Sequence, residues 1–193
     1  METSIIILLS YLIGSIPFGL LLTKIFLKKD IRKIGSGNIG ATNALRTGNK
    51  FIGYGTLILD ISKALITVLY IKFNYPEYYI FISSLSVFIG HMFPFWIKFK
   101  GGKGVAVYVG VLLSINYQLG LFFIGVWLLI FLISKFSSLS SLLASLSIII
   151  FNFLLLNGES YYFYIILFIL VFYTHRENIR RLINNTENKT KIY

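Results

Sequence analysis

Seven apolar runs, separated by short polar breaks, constrain this chain more than any single residue does. They cover about Ser4–Phe26, Phe51–Ile71, Tyr78–Trp96, Val105–Ile115, Leu119–Ser134, Leu139–Leu156 and Tyr161–Tyr173. Inside lipid no water satisfies the backbone, so runs approaching 20 apolar residues must pair their N–H and C=O groups as helices. With 56% hydrophobic and 13% charged residues, the 193-residue chain reads as an all-α, polytopic integral membrane bundle. A single domain over residues 1–193 is the expectation at this length. The first run lacks a basic flank and a small-residue cleavage site, so it reads as a retained span. The absence of cysteine excludes a disulfide framework, a thiol nucleophile and a cysteine-ligated metal.

The basic residues orient the bundle. With seven spans and the N-terminus outside, sixteen of the 18 lysines and arginines fall in inner segments, leaving Lys63 within a span and Lys72 outside. A net charge of +11 therefore speaks for topology and anionic headgroups, and against nucleic acid. Val105–Ile115 is the weak point, too short to cross about 30 Å of hydrocarbon at about 1.5 Å per residue. A five-span alternative fuses the fourth run with the fifth and the sixth with the seventh. It drags Asn157-Gly158-Glu159-Ser160 through lipid, which is costly, so seven spans are preferred with one short or broken. The expectation is a multi-pass protein of the inner (cytoplasmic) membrane, with its C-terminus and functional face in the cytoplasm.

Two polar segments carry candidate chemistry. Gly35-Ser36-Gly37-Asn38-Ile39-Gly40 matches G-x-G-x-x-G, and Asp60 lies where a dinucleotide fingerprint wants an acid. Context rejects that reading, because no buried strand precedes the glycines and Asp60 falls within an apolar run. What remains is a glycine-rich turn bearing Ser36, Asn38, Thr42, Asn43 and Arg46, all able to contact phosphate or carbonyl oxygen. Arg46 offers the planar fork that suits phosphate. The second segment, Gly90 to Gly104, gathers aromatics, Lys98, Lys100 and Lys103 with Gly101, Gly102 and Gly104. Successive N–H groups in such a turn form an anion-binding concavity, strengthened by the N-terminus of a following helix. An ordinary cytoplasmic loop, its lysines serving topology, is the plainer alternative.

Other residues depend on where the spans place them. Gly14-Ser15-Ile16-Pro17-Phe18-Gly19 can kink the first helix or let another approach closely, and packing is favoured. Asp60 and Lys63 share one helical face, and each costs about 2.5–3.5 kcal/mol at a span centre. They are either functional or a buried pair bracing the site, and the brace is favoured. His91 reads as structural. His175-Arg176-Glu177-Asn178 closes the last span at the inner face, where seven spans also place Ser137, Ser138, Ser140 and Ser141. No metal-ligand spacing and no Walker-type loop is present. The residues support a membrane protein handling an anionic, phosphate-bearing ligand at the cytoplasmic face. They do not name a reaction.

These segments together closely resemble the bacterial acyl-phosphate:glycerol-3-phosphate acyltransferase family. The likeness runs through Gly14–Gly19, Gly35–Arg46, Asp60 with Lys63, Gly90–Ala106 and His175–Asn178, essentially the whole chain. Val107 stands where threonine is common and Ala64 where glycine is common, and the serine-rich segment is looser. The resemblance implies transfer of an acyl group from acyl phosphate to the 1-hydroxyl of glycerol 3-phosphate. The products are lysophosphatidic acid and phosphate, in the first step of phospholipid synthesis. It implies no cofactor, membrane lipid as surroundings, and the acyl-phosphate-forming enzyme as a candidate partner. The His-x-x-x-x-Asp motif of acyl-CoA-dependent enzymes is absent after both histidines.

By the same resemblance, Ser36, Arg46, Lys103 and His175 are the catalytic candidates. Gly35, Gly37, Asn38, Thr42, Asn43, Gly101, Gly102, Gly104, Ser141 and Asn178 would bind substrate. Lys103 and Arg46 would neutralise phosphate, while Ser36 and Asn38 would stabilise the tetrahedral oxyanion. Glu177 would hold Arg176 or the fold. The proton of the attacking hydroxyl would go to His175 or to a substrate phosphate oxygen, with substrate assistance favoured. An organic-phosphate transporter is the competing class. It fits less well, since the glycine-lysine site lies at one face and no paired repeats are visible.

Overall fold

The computed structural model describes residues 1–155 and 160–190. Among these residues all regular structure is helical, and contacts group the chain into two compact units, Met1–Ile115 and Asn116–Tyr193. The first unit holds α1 (Glu2–Gly14), α2 (Phe18–Leu27), α3 (Ala41–Leu45), α4 (Lys50–Asn74), α5 (Tyr78–Met92) and α6 (Val105–Ile115).

The first apolar run is not one helix. It breaks at Ser15-Ile16-Pro17, where proline has no N–H to continue the ladder. Ser15 Oγ donates to the Leu12 carbonyl at 2.8 Å and accepts from Trp96 Nε1 at 2.6 Å, so the break is built into the packing. The same motif also supplies the close approach that its small residues suggest. A Cβ at Gly14 would overlap the backbone of Val87, and one at Gly90 would overlap the carbonyl of Tyr11. Ser10 and Ser83 share a buried hydrogen bond of 2.9 Å in that seam. Small residues thus let the α1 and α5 backbones touch, as packing within a bilayer favours.

The seam between α4 and α6 is built likewise. Gly110 lies against the Ile61 carbonyl, and Ser114 Oγ donates to the Gly110 carbonyl at 2.7 Å. Lys72 Nζ reaches the carbonyls of Ser114 (2.9 Å) and Ile115 (3.0 Å), placing a cation at the C-terminus of α6.

The second unit holds α7 (Tyr117–Ser134), α8 (Ser137–Leu155), α9 (Tyr161–Thr174) and α10 (Arg176–Ile183). Asn116 caps α7, its Oδ1 accepting from the Gln118 N–H at 2.8 Å. Lys135 closes α7 in the left-handed region at φ 62°. Trp127 Nε1 donates to Ser141 Oγ at 3.0 Å, and Phe122 lies against Phe151 with ring centroids 4.1 Å apart, which ties α7 to α8.

Five segments among the described residues are long and apolar enough to cross a membrane: Glu2–Leu27, Lys50–Asn74, Tyr78–Ile97, Tyr117–Ser134 and Ser137–Leu154. Val105–Ile115 and Tyr161–Thr174 are apolar but shorter. These five are not the fused five of the alternative topology. The extended backbone at Asn116 (φ −148°) separates α6 from α7, so the fourth and fifth runs do not form one helix. The break at Asn157-Gly158-Glu159 lies outside the described residues.

Candidate functional site

The turn from Gly35 to Arg46 is organised from within by Asn43, which is buried. Its Oδ1 accepts from the Ser36 N–H at 2.9 Å. Its Nδ2 reaches the carbonyls of Ile31 (3.2 Å), Ile34 (2.9 Å) and Asn38 (2.7 Å). An amide has two donors and one acceptor oxygen, so this side chain is fully committed to backbone. Asn43 therefore holds the turn from within. Gly35 and Gly37 adopt φ of 55° and 73°, the left-handed region that favours glycine. A Cβ at Gly35 would stand 2.9 Å from Arg46 Cδ, so the exposed Arg46 lies over the start of the turn. Ser36 is exposed beside it. Asn38 Oδ1 accepts from the Gly40 N–H at 2.9 Å, and Thr42 is half-buried in α3.

The glycine-lysine loop is shaped differently from the expected N–H cradle. The N–H groups of Gly101 and Gly102 donate to the carbonyls of Met92 and His91, each at 3.1 Å, and so fold the loop back on the end of α5. The close fit leaves no room for a side chain at either position. A Cβ at Gly102 would overlap the His91 ring, and one at Gly101 the His91 carbonyl. Gly104 turns at φ 86° into α6, leaving the half-buried Lys103 at the head of that helix.

Beneath this loop lies a buried ionic cluster. Lys63 Nζ sits 2.8 Å from Asp60 Oδ1, 3.0 Å from His91 Nδ1 and 2.8 Å from the Ile16 carbonyl. His91 Nδ1 is 3.6 Å from Asp60 Oδ1. Phe18 presents its ring to the ammonium at 5.6 Å. Asp60 and Lys63 are a brace, and His91 is its third member, resting on Gly102. The i,i+3 spacing signals the pair, but nothing in sequence signals the histidine.

Both glycine-rich segments sit on one apolar cluster formed by Leu20, Ile31, Ile39, Ala44, Ile52 and Ile97. Ile39 and Ala44 come from the first segment and Ile97 from the second, so the two segments share one apolar seat within the first unit.

In the second unit, His175 joins α9 to α10 and is buried. Its Nδ1 lies 2.8 Å from the Val171 carbonyl, an acceptor that requires the proton on Nδ1. Arg176 lies over the Tyr173 ring at 4.6 Å and donates to the Tyr173 carbonyl at 3.1 Å. Asn178 is buried, with Nδ2 donating to Glu187 Oε1 at 2.6 Å. Ser141 is buried too, donating to the Ser137 carbonyl at 2.8 Å while accepting from Trp127. That hydroxyl joins α7 to α8. Glu187 escaped the sequence reading altogether. Burial pushes its carboxyl up, but hydrogen bonds from Arg181, Asn178 and Ser138 together outweigh that and hold it below the ordinary glutamate range. Among the described residues no cluster of three or more His, Asp or Glu side chains could hold a metal ion.

The chain matches the family model described as glycerol-3-phosphate acyltransferase over residues 4–185. It is 67% identical, over 193 residues and 100% of both chains, to the glycerol-3-phosphate acyltransferase of Pelagibacter ubique (strain HTCC1062). It is 49% identical to the enzyme of that name from Bartonella henselae, over 97% of this chain and 91% of that one. Among solved structures it is similar to PlsY (YgiH), an integral membrane glycerol 3-phosphate acyltransferase. The glycerol 3-phosphate form gives a TM-score of 0.92 at 35% identity, covering 99% of this chain and 96% of the other. The lysophosphatidic acid form gives 0.88 at 36% identity, covering 98% and 95%. By the extent of these matches, this chain belongs to the glycerol-3-phosphate acyltransferase family.

Proposed function

We propose that this protein transfers an acyl group from acyl phosphate to the 1-hydroxyl of glycerol 3-phosphate, giving lysophosphatidic acid and phosphate. The observation that carries the reading is the shared apolar seat of the two glycine-rich segments, of which the first bears Ser36 and Arg46 and the second Lys103. A hydroxyl, a guanidinium and an ammonium suit two substrates that both carry phosphate. Acyl phosphate is an activated mixed anhydride. The substrate hydroxyl oxygen bonds to the acyl carbon, the carbon–oxygen bond to phosphate breaks, and phosphate leaves. No acyl-enzyme is needed. Lys103 and Arg46 neutralise phosphate charge, and Ser36 with Asn38 donates to the oxyanion of the tetrahedral intermediate. The hydroxyl proton goes to a substrate phosphate oxygen, whose pKa lies near the working pH. His175 and Asn178 orient the substrate. The protein is multi-pass in the cytoplasmic membrane, with its N-terminus outside, seven spans counting α6 and α9, and basic segments facing the cytoplasm.

The test uses purified protein in detergent or lipid with palmitoyl phosphate and glycerol 3-phosphate. Phosphate and lysophosphatidic acid should appear in equal amounts, only when glycerol 3-phosphate is present, and both should vanish in Ser36→Ala and Lys103→Ala. Phosphate without acylated product means hydrolysis alone. Acylation supported by acyl-CoA and not by acyl phosphate would overturn the choice of donor. His175→Gln that binds both substrates yet does not turn over would make the histidine the proton acceptor.

A further inference from the structure

The tail beyond α10 looks like a mere polar ending in sequence, yet it folds back on the second unit. Thr186 N–H donates to the Arg181 carbonyl at 2.8 Å, and Thr190 N–H to the Lys135 carbonyl at 2.9 Å, between α7 and α8. Between these two anchors lies Glu187, whose side chain is 10% exposed. Oε1 accepts from Ser138 Oγ at 2.7 Å and from Asn178 Nδ2 at 2.6 Å, and Oε2 accepts from Arg181 Nε at 2.7 Å. A carboxylate only accepts, so it dictates which end of the Asn178 amide points towards it. The NH2 edge of Asn178 is thereby held, and with it the side-chain rotamer. The family match ends at residue 185, so Glu187 lies outside the matched region.

We propose that Glu187 is a positioning residue for acyl transfer: its carboxylate fixes the Asn178 amide in the orientation that receives glycerol 3-phosphate. The inference rests on the function proposed above, and on Asn178 meeting the substrate. Ser138 and Arg181 complete the arrangement by clamping the carboxylate from α8 and α10. A buried charge-assisted bond of this kind outlasts thermal motion better than a neutral one. Glu187 touches no reacting atom and acts only through its neighbour.

The experiment takes the full chain as wild type, Glu187→Ala, Glu187→Gln, Asn178→Ala and the Asn178→Ala/Glu187→Ala double variant. Steady-state rates are measured with palmitoyl phosphate and glycerol 3-phosphate, and glycerol 3-phosphate binding by calorimetry, which needs no turnover. Glu187→Ala should raise KM for glycerol 3-phosphate about tenfold and leave that for palmitoyl phosphate within about twofold, a split that general loosening of the fold does not produce. Glu187→Gln keeps one oxygen for Ser138 and Asn178, and should restore most of the wild-type KM. In the Asn178→Ala background, Glu187→Ala should weaken binding no further. A Glu187→Ala protein with wild-type constants would overturn the proposal. So would equal loss in both KM values and kcat with a lower melting temperature, or an undiminished effect in the Asn178→Ala background. Wild type without acyl transfer would instead overturn the function itself, and this inference with it.

Discussion

Lys63 Nζ donates to the carbonyl oxygen of Ile16 at 2.8 Å, tying the middle of α4 to the break between α1 and α2. The same ammonium pairs with Asp60 at 2.8 Å, where the two side chains are 2% and 3% exposed. Breaking a buried pair from one side strands a charge and costs about 3–5 kcal/mol, whereas removing both partners is far milder. Lys63→Met should therefore lower the unfolding temperature in detergent more than Asp60→Leu/Lys63→Met does. A single variant as stable as wild type would show that the pair contributes nothing.

The Gly102 site admits no side chain. Gly102→Ala drives a methyl into the His91 ring, so either the ring or the loop must shift. Displacing a positioned group by about 1 Å can cost about 100-fold in rate. Gly102→Ala should lose at least about tenfold in kcat/KM for glycerol 3-phosphate, and His91→Ala added to it should return part of that loss by making room. Steady-state kinetics on the two variants decides the matter, and a fully active Gly102→Ala would break the link between loop and ring.

Asn43 tests the turn that it holds. Asn43→Ala leaves the Ser36 N–H and three carbonyls without this partner, each unsatisfied group costing about 1–3 kcal/mol where water cannot replace it. Asn43→Asp removes both amide donors while keeping the shape, and should be the worse of the two. Thermal unfolding together with turnover is the readout. Loss of turnover with unchanged stability and substrate binding would return Asn43 to the reacting groups.

The clasp of Glu187 should depend on pH in one direction. Its carboxyl lies below the ordinary value of 4.5, so its stabilisation is fully present above that value and disappears as pH falls through the lower folded value. Amide exchange or proteolysis at residues 184–190 should stay slow from neutrality to about pH 5 and quicken below the ordinary carboxylate range. Glu187→Gln should remove that pH dependence. A tail equally protected at all pH values would mean that the carboxylate is not what holds it.

The apolar runs made the helices legible, because lipid leaves a backbone no alternative to helical pairing. The Asp60–Lys63 pair was legible from an i,i+3 spacing, whereas the break at Pro17 was the less favoured of two readings, behind close packing. His91 was read as structural, but its partners were hidden, since sequence does not say which faces of α4 and α5 meet. The backbone bonds of Asn43 were hidden because an asparagine that holds a glycine turn and one that grips phosphate have the same signature. The bond of Ser141 was hidden for a similar reason: a serine that meets Trp127 on a neighbouring helix looks like any other hydroxyl. Glu187 left no trace in sequence, as a carboxylate in an aperiodic tail acquires meaning only from what it folds against.

The seat of Gly102 on His91 gives the glycine-lysine loop a floor made of a helix long and apolar enough to cross a membrane. A helix whose apolar length mismatches the bilayer tilts or shifts to accommodate it, at fractions of a kcal/mol per Å. Because α5 carries the loop directly, such a tilt moves Lys103 with it.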